Sequence, residues 1–315
     1  MLSRLRASLA IAVVVVCLSL VPLRGAETIK RPFAGVTFIT RPENTPRKVV
    51  INIFKIDLTA GGIRFVLTPP GGAMETIRQT TLDFLQREHA QIAINIHFFL
   101  PYPSTSPNAM LIGLAASNGN VYSAFESPVQ SYAIVNDAPA INIDMSNHAS
   151  IVHRDPASID GKQIREKVML WTALSGSAQI VTDGLRTIPA YKDPQHPDGL
   201  LMPGGPGGYS NDSSWYNVLN ARTAIGLTRD NQTLVLFTVD RSNASLGMTV
   251  GEVADLLIRD YAVANALNLD GGGSTTLAME NPATHVGALV NVSNDNAAGR
   301  SVGSNLAVFA NPAQK

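Results

Sequence analysis

The chain has 315 residues, and its 24 basic and 24 acidic side chains cancel to a formal net charge of zero. That balance lacks the basic stripe a nucleic-acid binder needs, and 45% hydrophobic against 15% charged residues is too apolar for a disordered chain. The 25 Gly and 19 Pro point to many turns rather than a plain helical bundle. Residues 1–26 carry the order of a secretory signal: Arg4 and Arg6, an apolar run from Ala7 to Leu23, then the small Gly25 and Ala26. A run of seventeen residues sits at the short limit for a membrane span, so cleavage is expected rather than a membrane anchor. The lone Cys17 leaves with this segment. The remaining 27–315 has 24 acidic and 21 basic residues and no cysteine, which removes disulfides, thiolate zinc sites and thiol nucleophiles.

Strands are predicted over Gly35–Ile39, Lys48–Asp57 and Ile63–Leu67, which are β-branched and bounded by Pro, Gly and Asn. Thr76 with Gln79 reads as a capping box opening a helix through Leu82 and Leu85. The run Gln91–Ile96 reads as a strand that delivers Asn95 and His97 to one side of its exit. Short strands follow over 121–125, 131–135, 140–143, 168–174 and 178–181. Residues 183–220 are Gly- and Pro-rich and aperiodic, which suggests an active-site loop. A hairpin is predicted from Arg222–Leu227 and Thr233–Asp240. A second capping box, Thr249 with Glu252, begins a helix. The strand Ala266–Asp270 runs into Gly271-Gly272-Gly273-Ser274, and 304–310 closes the chain. The expected class is α+β, a mainly antiparallel sheet core with a few packed helices, in one domain over 27–315.

Asp270 followed by three glycines is the sharpest chemical feature. An apolar strand ending in a carboxylate and a glycine run puts that carboxylate at a sheet edge. Gly271, Gly272 and Gly273 free the backbone to turn N–H groups inward as an anion nest, and Ser274 adds a hydroxyl. Without a lysine after the glycines it is not a P-loop. Arg222, Arg241 and Arg300 stand at predicted strand termini and are candidates for phosphate, which arginine grips bidentately. Asp240 is a second carboxylate at a strand exit. Asn95 is a candidate polar contact, and His97 a candidate base, phosphate donor or metal ligand. The remaining histidines have no metal-ligand spacing.

Five stretches occur in a recognisable order: Arg222-Thr223-Ala224-Ile225-Gly226, Asp240-Arg241, Gly247-Met248-Thr249 with Glu252, Asn268-Leu269-Asp270-Gly271-Gly272-Gly273-Ser274, then Arg300 and Asn305. This set resembles the phosphodiester glycosidase family, most strongly over 222–309. The resemblance implies a secreted or lumenal hydrolase that breaks the bond between an anomeric carbon and a phosphodiester oxygen. Two departures stand out. The family commonly shows Asn-Gly-Gly-Phe-Phe where this chain has Asn95-Ile96-His97-Phe98-Phe99, and often Asp-Gly-Arg where this chain has Asp240-Arg241-Ser242.

Glycoside cleavage passes through an oxocarbenium-like state served by carboxylates. A phosphate leaving group is already a weak base, so stabilising its charge outweighs protonating it. Asp270, Asp240 and His97 are therefore the catalytic candidates, and the glycine run with Arg222, Arg241, Arg300, Asn95, Ser274 and Asn305 the binding candidates. Trp215, Tyr209 and Tyr216 of the 183–220 loop are available to stack on a sugar. No cofactor is required, although a divalent metal on Asp240 and Asp270 stays open. The expected partner is a small-molecule or glycan phosphodiester, not nucleic acid, and the expected location is the periplasm or exterior. The same residues leave two alternatives: a metal-assisted phosphodiesterase or sugar-nucleotide pyrophosphatase, and a non-catalytic envelope module that binds anionic glycans.

Overall fold

The computed structural model describes residues 27–125, 133–201, 210–292 and 298–313. The leader expected over 1–26, the start of the strand expected at 131 and Tyr209 lie outside the described residues. The class is mainly β, which corrects the α+β expectation. Among the described residues there are two α-helices, Thr81–Glu88 (α1) and Val250–Tyr261 (α2), against 23 strands. Neither is long and apolar enough to cross a membrane.

Both helices follow from their caps. In α2 the Thr249 hydroxyl accepts from the Glu252 N–H while the Glu252 carboxylate accepts from the Thr249 N–H, the reciprocal box read from sequence. Val250, Val253, Ala254 and Leu257 then share one buried face. The first helix begins later than expected. Thr76 belongs to the short strand Thr76–Ile77 paired with Asn108–Leu111, and Thr80 caps α1 by accepting from Asp83 N at 3.1 Å. The capping pattern at Thr76 fails because pairing with Ala109 and Asn108 holds Thr76 and Ile77 in a strand, which leaves Ile77 exposed.

The largest sheet has eight strands. At its centre Thr233–Val239 pairs antiparallel with both Val49–Asp57 and Arg222–Thr228, and the latter also pairs with Val263–Asn268. These strands read as unbroken apolar runs because both of their faces are buried. Ile51, Ile53, Val235 and Phe237 pack under Val253 and Leu257 of α2. Phe54, Ile56, Ile225, Leu234 and Leu236 face Ile94, Leu277 and Leu306 of a five-stranded sheet. The helix α1 covers that second sheet's outer face through Phe84 and Leu85 against Ala93, Ala307 and Phe309. A fully buried side chain of this size contributes roughly 1.5–3 kcal/mol, so the seam between the sheets is the main support of what lies at its rim.

Register sets that rim. Arg222 pairs with Val239, and Ala224 pairs with Asn268. The start of the middle strand therefore lies between the ends of its two neighbours, which run on into Asp240 and Asp270. Two strand spacings separate those backbones, about 10 Å. The second sheet arrives at the same edge, where Asp270 N donates to Ile96 O at 2.9 Å.

Candidate active site

Asp270 is pinned by both sheets. Its own N–H bonds Ile96, the neighbouring Leu269 N donates to Thr223 O at 2.9 Å, and Asn95 Nδ2 donates to Asp270 O at 2.7 Å. Asn95 Oδ1 accepts from Thr223 Oγ1 at 3.1 Å and from Thr276 N at 3.0 Å. The fully buried Asn95 thus positions the loop that carries Asp270. The half-buried Asp270 carboxyl is pushed up to about 7 by desolvation, against the opposing pull of the Ser274 hydroxyl, Arg300 and the Gly271 N–H. Arg300 Nη1 also donates to Ser274 Oγ at 3.2 Å, so Asp270, Ser274 and Arg300 form one polar chain.

Asp240 is 5% exposed, and burial pushes its carboxyl up to about 7 as well. The Val292 N–H and the Asn291 side chain pull the other way, and Asn52 Nδ2 lies at 3.5 Å. Asn291 Nδ2 donates to Thr275 O at 3.1 Å. One asparagine therefore ties Asp240 to the loop that follows Asp270. Desolvation, rather than mutual repulsion, leads both shifts. The rim holds two carboxyls that ionise near neutral pH, with an arginine beside one of them. Such a set suits proton transfer or nucleophilic attack at pH 7.

The sequence profile of the family described as phosphodiester glycosidase matches residues 89–309, which takes in this whole rim. The chain belongs to the phosphodiester glycosidase family. Two curated relatives, the mouse and human N-acetylglucosamine-1-phosphodiester alpha-N-acetylglucosaminidases, are 45% and 46% identical over 67 residues. Those matches cover 21% of this chain and 13% of each relative, so the chain spans a small part of their length. Among solved structures, a hypothetical protein from Synechocystis aligns with a TM-score of 0.60 at 15% identity, covering 90% of this chain and 64% of that one. The zebrafish N-acetylglucosamine-1-phosphodiester alpha-N-acetylglucosaminidase catalytic domain aligns with a TM-score of 0.58 at 18% identity, covering 91% and 86%. These two share the fold.

Several residues of the phosphodiester glycosidase motifs sit elsewhere than the sequence suggests. The glycine run is not an open anion nest. It winds into a 3₁₀ turn, Gly272–Ser274, in which Ser274 N donates to Gly271 O and Thr275 N to Gly272 O, while Gly272 N donates to Ala221 O at 2.9 Å. The turn consumes N–H groups that a nest would present. Glycine is needed for shape: Gly272 has φ +59°, and a Cβ on Gly271 would stand 3.0 Å from Ala221 O. Arg222 is fully buried in carbonyls rather than turned to the rim. Its Nε donates to Met248 O at 3.0 Å and its Nη2 to Trp215 O at 3.1 Å and to Val218 O. Arg241 is exposed and donates to Leu219 O and Asn220 Oδ1. Both arginines hold the 215–220 segment. Of the three arginines, Arg300 is the one set against Asp270.

His97 is fully buried. Its Nδ1 lies 2.7 Å from Ser304 Oγ and its Nε2 3.0 Å from both Leu114 O and Ser175 N, and burial pushes its pKa down to about 4. It fastens strand exits together as a neutral ring and offers no base at the rim. Where the family commonly has two glycines, Ile96 and His97 fill core space. Asn305 is likewise buried, accepting from Thr81 Oγ1 at 2.7 Å at the start of α1. Tyr216 is 1% exposed with its hydroxyl donating to Ala133 O, so it is not a stacking surface.

Two features escaped the sequence. Phe98 is half-buried and meets half-buried Trp215 edge to face, centroids 5.8 Å apart. The Trp215 ring lies over the Arg222 guanidinium at 4.4 Å, which fixes it as a wall beside Phe98, two residues on from Asp270's partner Ile96. Asn291 shows in the sequence only as an Asn-x-Ser signal. Its role as a tie depends on folding about 50 residues of chain back onto Asp240. Among the described residues no three His, Asp or Glu side chains gather as a metal-holding group.

Proposed function

We propose that this protein is an exported hydrolase that cleaves the glycosidic C–O bond of a sugar-1-phosphodiester. The carrying observation is the pair Asp240 and Asp270, two carboxyls held near pKa 7 at one sheet end with Arg300 beside Asp270. Membership of the phosphodiester glycosidase family supports the same bond, and the mouse and human relatives bear the name N-acetylglucosamine-1-phosphodiester alpha-N-acetylglucosaminidase. The apolar run at 1–26 supports export.

In this reading an ionised carboxylate of the pair attacks the anomeric carbon or takes a proton from the attacking water. The C–O bond breaks with its electron pair going to the phosphate oxygen, and the sugar leaves with the water's oxygen at C1. The phosphate monoester departs carrying an added negative charge. Arg300 and the Ser274 hydroxyl stabilise that charge in a partly desolvated setting, where fixed donors act most strongly. Phe98 and Trp215 provide an apolar wall for a sugar face.

Turnover of sugar-1-phosphodiesters in ¹⁸O-labelled water tests the bond directly. Label on the sugar supports C–O cleavage. Label on the phosphate replaces this reading with a phosphodiesterase. Tight binding with no turnover of any sugar leaves a glycan-binding module.

A further inference from the structure

Arg300, which bonds Ser274 beside Asp270, also lines a cavity of about 490 Å³. Its walls include Arg78, Phe99, Tyr102, Ser104, Ser106 and Arg300, and among the described residues no Asp or Glu lines it. Both arginines lie against aromatic faces, Arg78 over Phe99 at 4.7 Å and Arg300 over Tyr102 at 5.0 Å. Arg78 is held rigidly. Its Nη1 donates to Ser104 O at 3.0 Å and its Nη2 to Pro101 O. Among the described residues it forms no ion pair with a carboxylate, and its Nε is buried without a hydrogen-bond partner. The Pro- and Ser-rich 101–107 segment thus holds a fixed cation, with hydroxyls around it, in the same pocket that Arg300 lines.

Fixing an uncompensated arginine in a half-buried wall has a desolvation cost. An arriving anion offsets that cost through charge-assisted hydrogen bonds. From this geometry we infer that the pocket is the leaving-group subsite and takes an aglycone bearing a second anionic group, a phosphate or carboxylate, that reaches Arg78. The inference rests on the proposed cleavage and narrows its substrate to polyanionic phosphodiesters, in which Arg300 meets the scissile phosphate and Arg78 the next negative group along.

Two assays on the full chain test it. The first compares kcat/KM for N-acetylglucosamine-1-phosphate esterified to glycerol and to glycerol phosphate. Wild type should favour the second by about 10- to 100-fold, the scale of one charged hydrogen-bonded contact, and the preference should shrink as salt is raised. In Arg78→Ala the ratio should fall to near one, while Arg78→Lys, which keeps the charge, should retain part of it. The second assay follows binding of glycerol 1-phosphate by ³¹P NMR in wild type and both variants, independent of turnover. No preference and no Arg78-dependent binding overturns the inference even if the neutral ester is cleaved. Equal losses in Ala and Lys variants also overturn it, by making Arg78 a mere support of the 101–107 segment. Arg78-dependent binding with no cleavage of either ester overturns the proposed reaction and keeps the anion subsite.

Discussion

Replacing Asp240 with asparagine should make the protein more stable at alkaline than at acidic pH, relative to wild type. The ordinary carboxyl value is 3.8 and the folded value about 7. Between those limits the folded state keeps a proton that the unfolded state releases. The group therefore favours folding at low pH, and that contribution is lost as pH rises through 7. Worked from those two values, wild type loses about 2–3 kcal/mol from this carboxyl alone between pH 5 and pH 8. The substituted amide does not titrate, so the variant loses none of it. The hydrogen bonds disturbed by the amide, to Asn52, Asn291 and Val292, cost the same at both pH values and cancel in the difference. Urea unfolding of both proteins at pH 5 and pH 8, at one ionic strength, gives the four free energies required. The variant-minus-wild-type difference should move in the variant's favour by about 2–3 kcal/mol at pH 8, equivalent to several degrees in Tm for a chain of this size. A difference that does not change with pH refutes the claim that burial holds Asp240 near neutrality. Loss of turnover alongside that gain would mark the carboxylate as retained for chemistry at the expense of stability.

The pH–rate profile follows from the same pair. If an ionised carboxylate attacks or acts as base, kcat/KM on a sugar-1-phosphodiester should fall below pH 7 with a limb between about 6 and 8, and a profile flat down to pH 5 would remove both aspartates from that role. Arg222→Lys should cost about 3 kcal/mol or more by chemical denaturation, because a lysine cannot reach Met248, Trp215 and Val218 carbonyls together and leaves buried acceptors unpaired; a change under about 1 kcal/mol would contradict the buried cage. Gly272→Ala places a side chain at φ +59° with only ordinary contact to Asn220 Nδ2 at 3.5 Å. It should cost about 1–2 kcal/mol from the left-handed backbone and reduce turnover further by shifting the Asp270 loop; wild-type stability and rate would show the turn to be relaxed.

How much of this was legible in the chain depends on whether the signal was local. The α2 capping box, the central hairpin and the Asp270-Gly-Gly-Gly terminus are written in contiguous residues. Their physics acts within a few positions, so the sequence alone determines them. The ordered motifs over 222–309 likewise mark the family. The helix start at Thr76 misled because a capping pattern competes with strand pairing, and the partner, Ala109, is remote in the chain. The fold class misled for a related reason: two well-signalled helices carried more weight than many short strands whose partners are remote. Long-range packing also decided which polar residues face the rim. His97, Asn305 and Arg222 are chemically suited to catalysis, but the two sheets close over them, and desolvation with hydrogen bonding turns them into supports. Asn291 and Arg78 have no distinctive neighbours in sequence, and Phe98 shows there only as one of a Phe-Phe pair after a strand. They gain their positions only when the ends of separate strands meet at one edge. The chain by itself determines which residues end strands and begin helices, because those preferences are local. Only the tertiary structure decides which charges lose their water, because burial is a property of the whole fold.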